Sequence, residues 1–565
     1  MAQRNLQDWV NDLERNDLLA RVRGEIDPTH IAGVIEANYK RATLIENIRG
    51  YDIPLLANSV SNRRMLSVAL ETSEDKLLET VRERMKKRIA PVVSKSDSNP
   101  CQEVVSIGDK ADLTEFPIYL QHEFDGGPYI TAGVLVANDP INNMTNLGIY
   151  RLMLRTKNEL GIGLTPPHKL RKYYQVAIEQ NSEPLEVACV IGMHGLDIFS
   201  SEVSGPYDID EYDIMGGFRG EAVELVKCKT IDVYVPTNAE IVLECEMPLT
   251  GWVYDEGPYG EFSGTYGGLK SNPIMRVKAI TRKKHPIFQS ATHGGTHPGW
   301  TDFNVLIPIF EQGILDSLRA ANIDVKAIRF HTGSSGMWLV ASIKKWSEGE
   351  GRNAIMLMLT ASNQNFPKYA VVVDDDIDIF DDEAVNWAMT WRAQPSEDVM
   401  IFDGLKCIPL DPSLPTETPP ITTSKMGFDA TRPLSKPAFR FARCLPPYMD
   451  EIPAEAKTAS MPKKMYQERQ AASPSNSENS DIHVTTATSP SFRRDHGVTS
   501  CPDGFKIEEL SGRIVRLLKD HPCYFKDILD ALRAEDYRAA LLAWSEMRTR
   551  TQGLVRDEMG RYFIK

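Results

Sequence analysis

The sequence predicts an α+β protein built from several domains, and three observations support this prediction. The chain has 565 residues, whereas a single domain usually holds about 100–200 residues. Between residues 128 and 290, short β-prone runs are bounded by Pro, Gly, Asn and Asp clusters with little helix between them, which favours an antiparallel barrel or sandwich. Between residues 303 and 395, helical and strand patterns alternate, which indicates a separate α/β domain.

The first hundred residues show a mixture of helix and strand patterns. Leu6, Trp9, Val10 and Leu13 recur at steps of three and four residues, which predicts an amphipathic helix. Further helical and strand runs follow to about residue 100. We therefore expect an N-terminal α/β region ahead of the strand-rich segment.

The pattern changes again after about residue 445. Ser and Thr make up 11 of the 30 residues from 471 to 500, and such a segment buries too little apolar surface to offset its ordering entropy. Residues 505–565 then show amphipathic helices and two short β runs around a turn, with 12 basic and 10 acidic residues and hence a charge of +2. We expect a disordered linker, followed by an independent winged-helix-like unit that is dispensable for the chemistry.

Composition argues against several classes of protein. The 64 Lys and Arg against 78 Asp and Glu give a net charge of −14, which repels nucleic acid and anionic membranes. No window offers the roughly 18 uncharged apolar residues of a membrane span, and the N-terminal residues lack the apolar core of a signal peptide. The 8 cysteines include no CxxC pair, which disfavours a disulfide framework and a thiolate zinc site. We expect a cytoplasmic protein that binds neither membrane nor nucleic acid.

The strongest local signal is the segment Glu256-Gly-Pro-Tyr-Gly-Glu261. A backbone rich in Gly and Pro can bend two carboxylates five residues apart into one pocket. Carboxylates that share a confined site have pKa values pushed apart, which leaves one able to donate a proton near neutral pH. The alternative from these residues alone is a solvated loop that carries two unrelated acids.

Three further residues suggest a metal site. Asn146 lies in a strand-like run that ends at Arg151, His168 follows two prolines, and Glu211 lies in DIDEYDIMGGFRG. Together Asn146, His168 and Glu211 offer oxygen and nitrogen donors suited to Mg²⁺, Mn²⁺ or Fe²⁺. Taken singly, each has an ordinary structural interpretation. Strict strand alternation would also place Asn146 and Arg151 on opposite faces unless a bulge intervenes.

The segment His293-Gly-Gly-Thr-His297 carries another pair of candidate ligands. Gly-Gly between the histidines and Pro298 after them argue against a zinc-binding helix. A substrate-pocket role and plain loop structure both remain open for His293 and His297.

These segments together resemble the UbiD family of reversible decarboxylases, which use prenylated FMN. The resemblance covers about residues 1–435 and rests on NLGIYR, EYDIMGGFRG with the ELVKCKTIDVYVP and AEIVLECE runs, EGPYGEFSGTYGG, VVVDDDID and SKMGFDATRP in family order. It implies a split antiparallel β-barrel domain for the cofactor and an α/β oligomerisation domain. The predicted boundaries are 1–110 for the N-terminal α/β region, 111–302 for the barrel domain, 303–444 for the oligomerisation domain, 445–504 for the linker and 505–565 for the small C-terminal domain.

The resemblance also implies roles for individual residues. Asn146, His168 and Glu211 would hold Mn²⁺ or Fe²⁺ against the cofactor phosphate, and a potassium ion nearby is common in the family. The residues expected to contact the cofactor are Asn146, Ile149, Tyr150, Arg151, His168 and Glu211. Arg151, Glu256 and Glu261 match the family's catalytic network, with Glu261 as proton donor. The residues expected at the substrate pocket are Leu164, Phe262, His293 and His297.

The implied activity is removal of CO₂ from an aromatic or α,β-unsaturated carboxylic acid. It proceeds through a covalent adduct with prenylated FMN and reverses at high bicarbonate. One alternative is an aryl-CoA decarboxylase, such as one acting on phthaloyl-CoA. Another is a regulatory or nucleic-acid-binding role for the C-terminal residues. The expected partners are a small aromatic carboxylate, a flavin prenyltransferase that supplies the cofactor, and further copies of the chain in a dimer to hexamer.

Overall fold

The computed structural model describes residues 4–165, 168–180, 183–361, 366–414, 422–444, 504–532 and 536–565. The predicted linker, 445–504, lies outside the described residues except for residue 504. Within the described ranges, no helix is both long enough and apolar enough to cross a membrane.

The N-terminal region combines short helices with a small sheet. Its helices are α1 (Leu6–Arg15), α2 (Ile31–Ala37), α3 (Arg63–Ala69) and α4 (Leu77–Met85), and its strands are β1 (Leu19–Val22), β2 (Ala42–Ile45), β3 (Leu55–Ala57), β4 (Val92–Val93) and β5 (Val104–Ile107). Helix α1 confirms the predicted amphipathic pattern, because Leu6, Trp9, Val10 and Leu13 are all buried. Asn5 caps it by accepting a hydrogen bond from the Asp8 backbone N–H.

The middle of the chain forms a curled antiparallel sheet that resembles half a barrel. Its strands run in the order β6-β9-β10-β19-β14-β11-β7-β8, with β5 also paired to β19. They are β6 (Tyr129–Ile130), β7 (Val134–Asn138), β8 (Thr145–Ile149), β9 (Leu152–Thr156), β10 (Glu159–Ile162), β11 (Leu185–Ile191), β14 (Ile241–Met247) and β19 (Ile274–Arg282). Their pairing confirms the antiparallel arrangement predicted for this segment.

Both faces of this sheet are buried. Along β7, Leu135 packs into one apolar core while Val134 and Val136 pack into another. Cys189 and Val190 divide in the same way on β11. Because alternate side chains of a strand point to opposite faces, both sets must be apolar here, and the strands therefore show continuous hydrophobic runs.

Helices and short ribbons surround the sheet and carry the loops of interest. The helices are α5 (Lys169–Glu179), α6 (Gly195–Ser201) and α7 (Glu211–Arg219). The short strands are β12 (Glu224–Lys227), β13 (Tyr234–Pro236), β15 (Tyr254–Glu256), β16 (Tyr259–Gly260), β17 (Tyr266–Gly267), β18 (Lys270–Asn272) and β20 (Phe288–Ser290). Strand β15 pairs with β18, and β16 pairs with β17. Strand β20 returns to the N-terminal region and pairs with β3.

An α/β unit follows, in agreement with the alternating pattern in the sequence. Its helices are α8 (Ile307–Ala320), α9 (Glu350–Thr360), α10 (Asp382–Arg392) and α11 (Pro395–Asp398), and its strands are β21 (Val325–Phe330), β22 (Trp338–Ile343), β23 (Tyr369–Asp374), β24 (Val399–Leu405) and β25 (Thr423–Ala430). The strand order is β21-β22-β23-β25-β24. The central pairs are parallel and both edge pairs are antiparallel.

The C-terminal residues, 504–565, form helices and a hairpin that we call the tail. Its elements are α12 (Gly504–Asp520), α13 (Phe525–Ala531), α14 (Tyr537–Arg550), β26 (Leu554–Arg556) and β27 (Tyr562–Ile564). The tail shares one apolar core with the curled sheet. The Tyr537 hydroxyl donates to the Ile118 carbonyl at 3.1 Å, and the Lys157 backbone N–H donates to Ser545 Oγ at 2.8 Å.

The prediction of an independent tail is therefore wrong. Helix α14 is buried along most of its length, from Tyr537 to Met547, and most of its buried residues belong to the same core as the curled sheet. The sheet supplies part of the surface that covers this helix. The helical pattern in the sequence shows that an apolar face exists, but it does not identify the partner that covers it.

Truncation of the buried Trp544 should loosen the docked tail. Its ring is 1% exposed and packs edge-on against Phe525 and Tyr562. Trp544→Ala should lower the free energy of opening of α14 by about 3–5 kcal/mol, measured by native-state hydrogen exchange of the α14 amides. Trp391, which is 69% exposed, provides the matched control, because Trp391→Ala should change stability by less than about 0.5 kcal/mol. Equal protection in both variants would contradict the burial of Trp544 in the shared core.

Candidate active site

A cavity of about 240 Å³ lies between the curled sheet and the start of the α/β unit. The residues after β8 line one wall, and the segment that contains Glu261 and Phe262 lines another. Phe303 and Leu306, which precede α8, close the far side. The cavity therefore collects residues from distant parts of the chain.

Arg151 joins the two predicted carboxylates at this cavity. Its Nε lies 2.8 Å from Glu256 Oε1 and its Nη2 lies 2.9 Å from Glu256 Oε2, while Nη1 contacts Glu261 Oε1. Strand β8 ends at Ile149, so Arg151 lies in the connection to β9. The alternation of side chains along a strand therefore does not apply to Arg151. It no longer requires Arg151 and Asn146 to lie on opposite faces.

The Gly- and Pro-rich segment brings the carboxylates together as predicted. Glu256 ends β15 and Glu261 follows β16, so the chain between them turns around one guanidinium. Two glycines leave room for this arrangement. A Cβ at Gly163 would lie 2.9 Å from the Arg151 side chain, and one at Gly267 would lie 2.7 Å from Glu261 Oε1. Side chains at either position would displace the network.

Glu256 is fixed as an anion. Burial acts to raise the pKa of Glu256, but the charge and hydrogen bonds of Arg151 outweigh burial and lower it. The Tyr129 hydroxyl and Asn272 Nδ2 also donate to its oxygens, each at 3.2 Å. In contrast, Glu261 meets Arg151 through one oxygen and lines the cavity. Of the two carboxylates, Glu261 is the one that faces the cavity.

Lys270 and Tyr259 complete this end of the cavity, and the sequence analysis missed both. Lys270 lines the cavity, and burial together with the Arg151 charge lowers its pKa. The Tyr259 ring lies 5.1 Å from the Arg151 guanidinium, and its hydroxyl donates to Gln121 Oε1 at 2.7 Å. Lys270 is the cross-strand partner of Glu256, so a correct hairpin register would have identified it.

The residues expected at the substrate pocket lie in different places. Phe262 lines the cavity and stacks on Phe303 with ring centroids 4.2 Å apart. His293 also lines it, and burial lowers the pKa of His293 to about 4, so its ring is neutral. Leu164 is fully buried in the core of the curled sheet. His297 lies elsewhere.

His297 belongs to a second, neighbouring cavity. Its ring stacks on Tyr39 at 3.7 Å, and its Nδ1 lies 2.8 Å from Glu36 Oε1. His293 borders both cavities, and its carbonyl accepts a hydrogen bond from His122 Nε2 at 2.8 Å. The two histidines of one short motif thus face different surroundings.

Of the three residues predicted to bind a metal, Asn146 and Glu211 are neighbours, and His168 lies beside Tyr150. Glu211 accepts a hydrogen bond from the Leu147 backbone N–H at 2.6 Å, next to Asn146, and both Glu211 and Asn146 are buried. The exposed His168 lies with its ring centroid 5.2 Å from that of Tyr150. In the described residues, no cluster of three or more His, Cys, Asp or Glu side chains is arranged to hold a metal. Asn146 would have to supply one of the donors.

Two charged neighbours modify this end of the site. Lys169 Nζ lies 2.7 Å from Glu211 Oε1. Glu202 lines the cavity and accepts a hydrogen bond from the Ile149 backbone N–H at 2.7 Å. Burial, with a contribution from the Glu211 charge, raises the pKa of Glu202 to about 7. Nothing in the sequence around Glu202 distinguishes it from a surface acid, so the sequence did not predict Glu202 as a site residue.

Family models match three successive parts of the chain. They describe 3-octaprenyl-4-hydroxybenzoate carboxy-lyase domains: the N-terminal domain at residues 10–85, the Rift-related domain at 92–297 and the C-terminal domain at 306–430. Together these matches cover most of the chain and end before the tail.

Two curated relatives are similar along most of their lengths. The anhydromevalonate phosphate decarboxylase of Methanothermobacter thermautotrophicus is 31% identical over 423 residues, covering 73% of this chain and 93% of that protein. The phenolic acid decarboxylase of Sedimentibacter hydroxybenzoicus is 31% identical over 456 residues, covering 76% and 92%.

Solved structures agree with these matches. The UbiD-class enzyme HmfF from Pelotomaculum thermopropionicum, in complex with FMN, is 32% identical with a TM-score of 0.74 and covers 80% of this chain and 99% of that chain. An evolved dimeric form of the same enzyme, in complex with prenylated FMN, is 31% identical with a TM-score of 0.71 and the same coverage. On the strength of its fold and of these matches, the chain belongs to the UbiD family of carboxy-lyases.

Proposed function

We propose that this protein removes CO₂ from an aromatic carboxylic acid with prenylated FMN as cofactor. The observation that carries the proposal is the Arg151–Glu256–Glu261 network at the wall of a largely apolar cavity. Tyr259, Phe262 and other aromatic side chains offer flat surfaces for a substrate ring. The cationic Arg151 and Lys270 offer partners for its carboxylate. The same site would accept an α,β-unsaturated acid and would carboxylate at high bicarbonate.

A second group of residues, beside Tyr150 in the cavity wall, is suited to the cofactor phosphate and a divalent cation. Asn146, His168 and Glu211 supply oxygen and nitrogen donors of the kind that Mn²⁺ or Fe²⁺ binds. Glu202 and Glu211 would repel a phosphate that arrived alone, so a bridging cation is needed to bind both. Ile149, Tyr150 and Arg151 would lie along the flavin. When bound, prenylated FMN supplies the electron sink for the carbon that loses CO₂.

The residues of the chain position the substrate and move the proton. Lys270 and Arg151 orient the carboxylate, and the apolar side chains around it weaken its solvation. Glu256 holds the Arg151 guanidinium in place and stays ionised. Glu261 gives its proton to the carbon that CO₂ has left. The neutral His293 ring is available to a polar group on the substrate.

A substrate panel tests the proposed function. The protein is co-expressed with a flavin prenyltransferase and assayed for CO₂ release from phenolic acids, furoic acids, alkenoic acids and aryl-CoA thioesters. We expect turnover of aryl carboxylic acids, and no turnover in Arg151→Met. Turnover confined to the thioesters would favour the aryl-CoA alternative, and turnover of alkenoic acids alone would exclude an aromatic substrate.

Glu261→Gln should abolish proton delivery without disturbing the cavity. The amide keeps the shape of the side chain but lacks a proton of suitable acidity, so turnover should fall about 10²–10⁴-fold while cofactor binding is retained. Decarboxylation and solvent deuterium exchange at the former carboxyl position provide independent measurements. Glu383→Gln, at an exposed site on α10, is the control and should behave as wild type. Near-normal exchange in Glu261→Gln would refute the donor role of Glu261 and leave His293 as the next candidate, because His297 lies in the other cavity.

Glu211→Ala should weaken binding of both the metal and the cofactor. Loss of a buried anionic ligand removes charge that a divalent cation requires, and outer contacts cannot replace it. The protein as purified should show less Mn²⁺ or Fe²⁺ by elemental analysis and less flavin absorbance. Glu179→Ala, at an exposed position on α5, should retain both. Full retention of metal and cofactor in Glu211→Ala would refute the metal assignment.

A further inference from the structure

The tail reaches the back of the segment that carries the two glutamates. Arg548 Nη2 lies 3.2 Å from Asp255 Oδ1, and Arg556 Nε lies 3.1 Å from Asp255 Oδ2. Arg155, on β9, lies 3.1 Å from the same carboxylate. Asp255 directly precedes Glu256 on β15. Two arginines of the tail therefore contact the residue next to Glu256, and Glu256 is the ion-pair partner of Arg151.

The tail also holds the loop that supports the other side of this segment. The Tyr562 hydroxyl donates to the Gly126 carbonyl at 2.5 Å, and Arg556 Nη2 donates to it at 3.1 Å. The Gly126 backbone N–H in turn donates to the Pro258 carbonyl at 2.7 Å. A side chain at Gly560 would collide with the Pro258 ring. The tail is thus in direct contact with the turn between Glu256 and Glu261.

A second link connects this loop to the start of the Glu261 segment. Asp125, the neighbour of Gly126, accepts a hydrogen bond at Oδ1 from the Gly260 backbone N–H at 2.8 Å. Its Oδ2 accepts from the His122 backbone N–H at 2.9 Å. A displacement of Gly126 would therefore be passed to Gly260, the residue before Glu261.

These contacts are buried and strongly charged. The side chains of Arg548 and Arg556 are 8% and 3% exposed. Burial acts to raise the pKa of Asp255, but Arg548 and Arg556 outweigh it and hold the carboxyl group ionised. Removing Arg548 or Arg556 takes away one of the three contacts that fix the position of the Asp255 carboxylate, and the backbone that carries Asp255 is then less constrained.

We propose that the tail is a positioning element of the active site, in which Arg548 and Arg556 act through Asp255, and Tyr562 through Gly126, to hold Glu256 and Glu261 against Arg151. The match to the family's C-terminal domain ends at residue 430, so the tail lies outside the parts of the chain that match the family domains. The kinetic part of the inference rests on the proposed function. The structural part does not, because it concerns only the order of residues 254–261.

The kinetic test compares tail variants in the full-length holoenzyme. Arg548→Met and Arg556→Met should lower kcat about ten- to a hundredfold, because small displacements of catalytic groups have effects of this size, with KM changed less than about threefold. Arg556→Lys should restore part of the loss, since it keeps the charge but not the planar fork. Arg550→Met is the matched control, because Arg550 is 66% exposed and pairs with acids of the tail itself.

A double-variant comparison tests whether the arginines act through Asp255. If they do, Arg556→Met should cost less in an Asp255→Asn background than in wild type, because the charged contact that it removes is already lost there. Tyr562→Phe provides a gentler variant, since it removes the hydroxyl donated to Gly126 but keeps the buried ring. Additive effects of Asp255→Asn and Arg556→Met, or wild-type kcat in the arginine variants, would overturn the proposal while leaving the decarboxylase function intact.

Hydrogen exchange gives a measurement that needs no substrate. The amides of Gly260 and Glu261 are hydrogen-bonded in the wild type, to Asp125 Oδ1 and the Thr265 carbonyl. They should exchange faster in Arg556→Met and Tyr562→Phe than in wild type or Arg550→Met. If no substrate is found, this comparison still decides the inference. Unchanged protection across residues 254–261 in both variants would refute it.

Discussion

The ion pair between Arg151 and Glu256 is the contact on which the rest of the site depends. Their side chains are 13% and 1% exposed, and a charge buried to this extent is tolerable only when it is paired and fully hydrogen-bonded. Tyr129 and Asn272 satisfy Glu256 on the sides that Arg151 leaves open. The need to pair and hydrogen-bond these buried charges holds the ends of β8, β15 and β18 close to one another. It also leaves Arg151 with a second, less constrained contact to Glu261, and this difference between the two carboxylates makes their chemistry different.

Charge is distributed unevenly along the cavity. Arg151 and Lys270 line the cavity together with Glu261. Glu202 also lines it, and Glu211 lies outside the lining residues, paired with Lys169. In the proposed function, Arg151 and Lys270 would hold the substrate carboxylate, and the acidic group would act through a bound cation. The two cations are local features of a chain whose net charge is −14.

The sequence was most informative where local chemistry determines the outcome. The helical spacing of α1 and the turn residues of the Glu256–Glu261 segment predicted structure that the fold confirms. The predictions were less accurate where contacts between distant parts of the chain determine the position of a residue. Gly294 and Gly295 both adopt positive φ, 68° and 77°, and His297, beyond the resulting turn, lies outside the cavity that His293 lines. Lys270 depends on hairpin register, and Glu202 depends on burial, which no local pattern encodes.

The docking of the tail likewise depends on contacts with distant parts of the chain, and its charged contacts cannot supply the free energy of docking. The guanidinium groups around Asp255 repel one another, and burial together with Arg548 lowers the pKa of Arg155. Burial, with Arg548 among the further contributors, likewise lowers the pKa of Arg556 to about 10. Such a cluster does not hold itself together, so the free energy for docking must come from elsewhere.

The apolar face of α14 and the ring of Tyr562, both buried against the curled sheet, supply that free energy. Hydrophobic contact is non-directional and cannot set the register of the tail, whereas the geometry of charged hydrogen bonds can. Burial therefore keeps the tail in place, and Arg548 and Arg556 determine where it is placed. Because their partner is the neighbour of Glu256, the same arginines that set the register of docking also contact the segment that pairs with Arg151. Arginines engaged in this way are unavailable to a nucleic acid, which weighs against that role for the tail.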